Sequence, residues 1–241
     1  MANRPVFIAE KTDNSFVKEK QINFEWFAGF SVKQKQKSIE SFHENIKKYD
    51  EKLNILEVSS KSKDELGVAL SAFNLIITAK NGKKFSVETA FQASKVFQNG
   101  GPFLDLYEKT SKEAKKDPRI KNSGKLLYFQ FFSRKWDLEP KTLFYDWLYI
   151  NALALNEDIA NSVVEYNAFT DIEFNPEKSI NCQARSVALY VSLYKANQLD
   201  KALESVDRYK QIIQGTFISP KRIEDVVTER VEQLSIFDEI E

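Results

Sequence analysis

One glutamate in this chain has neighbours that invite a chemical reading. Glu88 lies in NGKKFSVETAFQASKVF (Asn81 to Phe97), where Asn81-Gly82 signals a tight turn and Ser86 starts a helix. The first turn of a helix presents free N–H groups and the positive end of the macrodipole, so a carboxylate is stabilised there and suits a base or hydrogen-bond acceptor. Acidic residues are common at helix starts for that reason alone. Other residues with chemical potential are scattered along the chain. Lys61 directly follows the strand-like LEVSS and Lys63 is its neighbour at two residues. Lys83, Lys84, Arg134 and Lys135 have the charge to hold phosphate, Trp136 has a face to stack on a base, and Asp171 has a carboxylate to orient a hydroxyl. Each also has an ordinary structural use: lysine pairs sit on solvated faces, tryptophan fills cores, and aspartate makes Asx turns.

The inventory excludes several chemistries. Cys182 is the only cysteine and His43 the only histidine in 241 residues, which leaves no disulfide framework, no zinc cluster and no Ser-His-Asp or Cys-His relay unless His43 acts alone. His43 falls in SVKQKQKSIESFHENIKKY beside core-spaced Ile39, Phe42 and Ile46, which is the setting of a structural or solvated histidine. No GxGxxG or GxxxxGK[ST] occurs, so neither a Rossmann nor a P-loop enzyme is expected. Basic and acidic residues number 35 each, and with no net charge any anion site must be local. No apolar run reaches the roughly 18 residues of a membrane span, and MANRPVF lacks a signal-peptide pattern, so a cytoplasmic protein without membrane association is expected.

The positioning elements follow from periodicity. RPVFIAE and KQINFEWFAGF alternate like two short strands, and a helix capped by Ser31 runs to about Tyr49. LNILEVSS and SAFNLIITA read as strands. The helix from Ser86 is expected to continue to the stop at Asn99-Gly100-Gly101-Pro102, and helical patterns dominate from there, with KTLFYDWLYINALAL and QARSVALYVSLYKAN buried. Asn167 to Asn181 reads as irregular. Asp200 is expected to cap a helix ending near Gln214-Gly215, and Ser219-Pro220 to open a last one. Strands early and helices later give a predominantly helical α+β protein with a few short strands in the N-terminal half. The expected division is an N-terminal extension over 1–52 packed on the main domain, a catalytic domain over 53–215, and a helix and tail over 216–241.

LSAFNL (Leu70 to Leu75), the Glu88 segment and FFSRKW (Phe131 to Trp136) carry the order S-x-F, a Gly turn, an aromatic, E-x-x-F-Q-A-x-K, then R-K-W. This order resembles the NADAR family of YbiA-like N-glycosidases over about Ile55 to Lys195. Glu88, Phe91, Gln92, Ala93 and Lys95 match the helix motif, Ser71 and Phe73 the element before it, and Arg134, Lys135 and Trp136 the one after; VVEYNAFTDIEF is similar to the late segment, with Asp171 at its acidic position. Ala72 and Phe174 depart from the family's asparagine and tryptophan. The resemblance implies a single NADAR-like fold and cleavage of an N-glycosidic bond without metal or cofactor. Glu88 would manage protons at the base and the ribose hydroxyls. A lysine, Lys61 in preference to Lys63, would form a Schiff base with C1 of the ring-opened ribose. Ser71, Phe73, Gln92, Arg134, Trp136 and Asp171 would bind substrate.

The first 50 residues, with MANRPVF and FEWFAGFSVKQKQKSI, are more specifically similar to NADAR antitoxins paired with DarT-type toxins, which ADP-ribosylate guanine in single-stranded DNA. The implied function is ADP-ribosylglycohydrolase action on that modified DNA as antitoxin to a DarT-type partner. The alternatives are YbiA-like cleavage of a riboflavin-pathway intermediate and a binding-only antitoxin. Lys33, Lys35 and Lys37, with Trp26 and Phe30, offer either a small surface for single-stranded DNA or a solvated helix face. The tail Gln233-Leu234-Ser235-Ile236-Phe237 is similar to the Q-L-x-[LI]-F peptide that binds the replicative sliding clamp, through Gln233, Leu234 and Phe237; docking of the tail on the core is the other reading.

Overall fold

A computed structural model describes residues 1–13, 15–79 and 81–215, and the last expected helix and the clamp-like peptide at Gln233 to Phe237 lie outside them. The fold is α+β, with most of its strands in the N-terminal half. The chain divides into two compact units, Met1–Ser71 with Asn156–Leu199, and Ala72–Leu155 with Asp200 onward. Residues 1–52 therefore share a unit with β3 and the segment from Asn156 to Leu199.

In the first unit β1 (Ala2–Ile8) and β2 (Lys18–Phe24) form an antiparallel pair, and β9 (Ala168–Thr170) lies between β1 and β3 (Ile55–Glu57) in the order β2-β1-β9-β3. The β3–β9 pair is parallel, with Leu56 opposite Phe169. The segment read as irregular thus supplies an inner strand; its three residues are all buried and too few to show a period. α1 (Val32–Tyr49) is capped by Ser31, which accepts from the Gln34 N–H, and it buries Ile39, Phe42 and Ile46. These close a core with Val6, Ile8, Ile22 and Phe24, in which the Phe24 and Phe42 rings stack at 4.5 Å. α8 (Gln183–Lys195) packs against β1 and β9. Both faces of the sheet are therefore apolar along β1, while β2 sits at the edge with Lys18, Glu19, Lys20 and Gln21 exposed.

The second unit holds the hairpin β4 (Ile76–Thr78) and β5 (Lys84–Ser86), α3 (Val87–Ala93), and a three-stranded sheet of β6 (Lys95–Phe97), β7 (Leu126–Phe131) and β8 (Arg134–Trp136). Two sequence expectations are corrected here. Ser71 to Asn74 forms turns rather than strand, so the SAFNLIITA strand shrinks to β4. The helix after Ser86 stops at Ala93 rather than Gln98, because Lys95 to Phe97 pair with β7 and the ladder outweighs helical period. Gly101 permits the close approach of the following turn: at φ +97° a Cβ there would sit 2.2 Å from the Lys95 carbonyl oxygen. FFSRKW forms the turn and flanks of the β7–β8 hairpin. α6 (Leu143–Ala154) has eleven of twelve residues buried, and α10 (Val206–Gln214) packs on it, with the Tyr209 hydroxyl donating to the Leu143 carbonyl at 3.3 Å. Asp200 lies inside the first turn of α9 (Leu199–Glu204); Ser205 caps α10 by accepting from Arg208 N–H.

α2 (Glu65–Ala69) approaches β3 so closely that a Cβ on Gly67 would fall 2.0 Å from the Glu57 carbonyl oxygen and 2.5 Å from Ser62 Oγ. Backbone cannot yield cheaply there. Gly67→Ala is expected to cost about 3 kcal/mol, the upper end of an overpacked site. Gly67→Ala unfolding in urea at the wild-type midpoint would refute that close packing.

Candidate functional site

α3 brings the matched motif together in the second unit. Ser86 caps it, accepting from the Thr89 N–H at 3.0 Å, and every residue from Val87 to Ala93 is buried. The helix start is pinned from outside: Glu88 N–H donates to the Ala72 carbonyl at 2.9 Å and Val87 N–H to that of Leu75 at 3.0 Å. Ser111 Oγ donates to the Phe73 carbonyl at 2.8 Å and lies 2.7 Å from Ser86 Oγ. Ala72 thus holds the glutamate through its backbone.

Glu88 is 6% exposed, yet it has cationic company. Gln92 Nε2 donates to Glu88 Oε1 at 2.9 Å, Lys95 Nζ donates to Gln92 Oε1 at 2.8 Å, and Lys115 Nζ stands 3.6 Å from Glu88 Oε1. Lys115 comes from α4 (Ser111–Lys116), which packs against α3. Two rings floor the group: Lys95 lies 4.8 Å above Phe91 and Lys115 4.9 Å above Phe73. Burial brings the Lys95 amine down to about 8; the Glu88 carboxylate opposes that fall and Lys115 assists it. A carboxylate beside an amine that deprotonates so readily is equipped to move a proton and to attack an electrophilic carbon. Lys95 was visible in the motif only as a match, and its desolvation comes from the strand that replaces the end of the helix. Lys115 sits in a run of lysines, where spacing alone does not single it out.

The remaining expected residues fall elsewhere. Arg134 is half-buried on β8, and Trp136 is 2% exposed within the core, 5.4 Å from the Phe144 ring and 4.9 Å from Trp147, with Lys210 5.3 Å above it. Such a ring has no open face for a base. Lys83 pairs with Glu108. In the first unit, Ser71 is buried and donates its N–H to the Val68 carbonyl, Lys61 is half-buried with its N–H on Ser59 Oγ, and Lys63 forms an exposed pair with Glu40. Lys35 is bound to Glu173 and to the Trp26 face, while Phe30 is fully exposed.

Asp171 makes the Asx turn, its Oδ1 accepting from Glu173 and Phe174 N–H at 2.9 and 3.2 Å. It also belongs to a buried polar group that sequence reading missed. Glu57, within the apolar pattern ILEV, accepts from Thr170 Oγ1 at 2.7 Å and Ile172 N–H at 2.8 Å, and His43 Nε2 lies 2.8 Å from Thr170 Oγ1. Burial pushes both the Glu57 and Asp171 carboxyls up, Glu57 adding to the rise at Asp171, and burial lowers His43 to about 4. His43 is accordingly a neutral structural histidine near pH 7. Among the described residues no group of three or more metal-ligating side chains occurs, and no helix is long and apolar enough to cross a membrane.

The Lys95 environment has a measurable signature. In pH-dependent acylation with peptide mapping, Lys95 is expected to react half-maximally near pH 8, well below the surface lysines. Glu88→Gln should lower that midpoint further and Lys115→Gln should raise it, following the signs of the two neighbouring charges. A Lys95 that titrates with the surface lysines refutes the arrangement.

Comparison with curated proteins gives no match. A family profile described as the DarT1-associated NADAR antitoxin matches residues 2–222, nearly the whole chain and with it every element described above. On that match, the chain belongs to the family of DarT1-associated NADAR antitoxins.

Proposed function

We propose that this antitoxin is an ADP-ribosylglycohydrolase that removes ADP-ribose from guanine in single-stranded DNA, undoing the modification made by a DarT-type toxin. The observation that supports it most is the buried Glu88 carboxylate, bonded to Gln92 and flanked by Lys95 and Lys115. A protein that only masked its toxin would have no use for a carboxylate and an easily deprotonated amine held together out of water. A YbiA-like action on a free riboflavin-pathway intermediate shares the bond broken, and it differs in needing no polymer.

In the proposed reaction, ring opening transfers a proton to the ribose ring oxygen and leaves C1 as an iminium of the base nitrogen. A lysine amine adds to C1, Glu88 carries its proton to the base nitrogen, and guanine leaves with the bonding pair. The resulting lysine imine takes up water, releases the amine, and the ribose recloses as ADP-ribose. Overall, one water is consumed per base freed. Lys61 and Lys95 compete for the amine role. Lys95 has the desolvation that the attack needs, and Lys61 has the half-open setting that a bulky substrate needs.

Release of ADP-ribose from a guanine-modified oligonucleotide tests the reading. Glu88→Gln keeps the shape and the Gln92 contact and should lower turnover by about 10²-fold or more. Wild-type turnover by a folded Glu88→Gln protein refutes acid–base work there. Borohydride added during turnover should reduce the imine and leave an adduct at Lys61 or Lys95; turnover without any protein adduct would mean direct attack by water. An antitoxin that still protects cells from its toxin as Glu88→Gln acts by binding alone.

A further inference from the structure

The net charge of zero hides an uneven distribution: between Ala72 and Leu155 the sequence has 14 lysines and arginines against 8 aspartates and glutamates. The excess is concentrated on α4, on α5 (Arg119–Asn122) and at the start of β7. The acids there are spent internally. Asp105 is held bidentately by Arg119 at 3.0 and 2.6 Å, and Asp117 accepts from Lys109 at 2.7 Å and Arg119 Nε at 2.9 Å. These partners pull both carboxyls below the usual range, Arg119 most. Glu113 closes the capping box of α4 with Thr110. The lysines are not spent. Lys112, Lys116, Lys121 and Lys125 are all exposed and form no ion pair with a described residue, and Lys109, Lys112 and Lys116 border an open depression of about 560 Å³. Lys112 and Lys116 are four apart and share one face of α4. Lys115, one residue from Lys116, reaches Glu88.

We propose that Lys112, Lys116, Lys121 and Lys125 form a track for the phosphodiester backbone of a single-stranded nucleic acid that leads to Glu88; its direction toward Glu88 rests on the function proposed above. Glu113 and Asp117 line the same depression, but each is engaged by its own partners, and lysines that form no ion pair with a described residue are stabilised when an anionic polymer lies across them and releases its counterions. The surroundings favour a nucleic acid over an acidic protein. Three half-buried rings carry a cation on one face, Arg119 4.6 Å from Phe103, Lys115 4.9 Å from Phe73 and Lys135 4.4 Å from Tyr128. Only the ring surface that these cations leave uncovered can stack on an unstacked base, and such stacking reads no sequence.

The test uses the full chain and fluorescence anisotropy with a labelled, unmodified single-stranded oligonucleotide, so its outcome does not depend on turnover. One variant has Gln at Lys112, Lys116, Lys121 and Lys125. A charge-matched control has Gln at Lys20, Lys47, Lys48 and Lys52. Circular dichroism melts establish that both are folded. The track variant should bind at least about 10-fold more weakly at low salt, with the slope of log affinity against log salt reduced by about 0.7 for each lost phosphate contact, while the control binds as wild type. If the hydrolase reading also holds, kcat/KM falls on the modified oligonucleotide and stays unchanged on ADP-ribosyl-guanosine. Equal binding by all three proteins, or equal weakening in both variants, overturns the proposal. So does a track variant that keeps its DNA affinity and loses binding to purified toxin, which would make this face a protein-docking surface.

Discussion

The arrangement around Glu88 depends on one constraint, the anchoring of a helix too short to hold itself. Seven residues make few intrahelical bonds and do not repay the cost of nucleation in water. α3 persists because the turn before the hairpin offers its carbonyls to the first two helical N–H groups, and because Ser111 ties the same turn to the helix cap. Groups that are orphaned in most helices are here the attachment points. The direction of Glu88 is therefore set by backbone, which tolerates change in the side chains that supply it, Ala72 among them.

Charge is managed differently in the two units. In the first, acidic groups are buried together, and Glu57 and Asp171 are accommodated by hydrogen bonds and raised affinity for protons rather than by cations. In the second, cations outnumber acids and the buried carboxylate has lysines beside it. The first pattern ties β3 to β9 through hydrogen bonds; the second sets cations around a buried carboxylate.

Elements with an unambiguous period were legible in the sequence. Ser31, Ile39, Phe42 and Ile46 predict α1 with its cap and its buried face, and α6 and α8 follow from apolar runs too long for strands. Elements fixed by a distant partner were not. β9 has three residues, and β6 and β7 have helix-compatible patterns that only their pairing converts to strand. The same division runs through the site. Glu88, Gln92 and Phe73 are readable from one local motif, whereas Glu57 is disguised as an interruption in an apolar strand and Lys115 as one lysine among several. What spacing cannot carry is desolvation, because it depends on which segments arrive from elsewhere in the chain.

The sheet of the first unit also has a temporal aspect. Glu57 on β3 and Thr170 on β9 are 113 residues apart, and the whole of Ala72 to Leu155 is synthesised between them. A nascent chain that ends before Ala168 has β1 and β3 without the strand that joins them, each with a bare row of amides and carbonyls. Closing that gap is a long-range, slow step that no local helix can hasten. The segment containing Glu88 has its own strands and helix before β9 is made, while the sheet of the first unit waits for Ala168 to Thr170; a chain cut between Leu155 and Ala168 would carry β1 and β3 with no strand to join them, an aggregation-prone beginning.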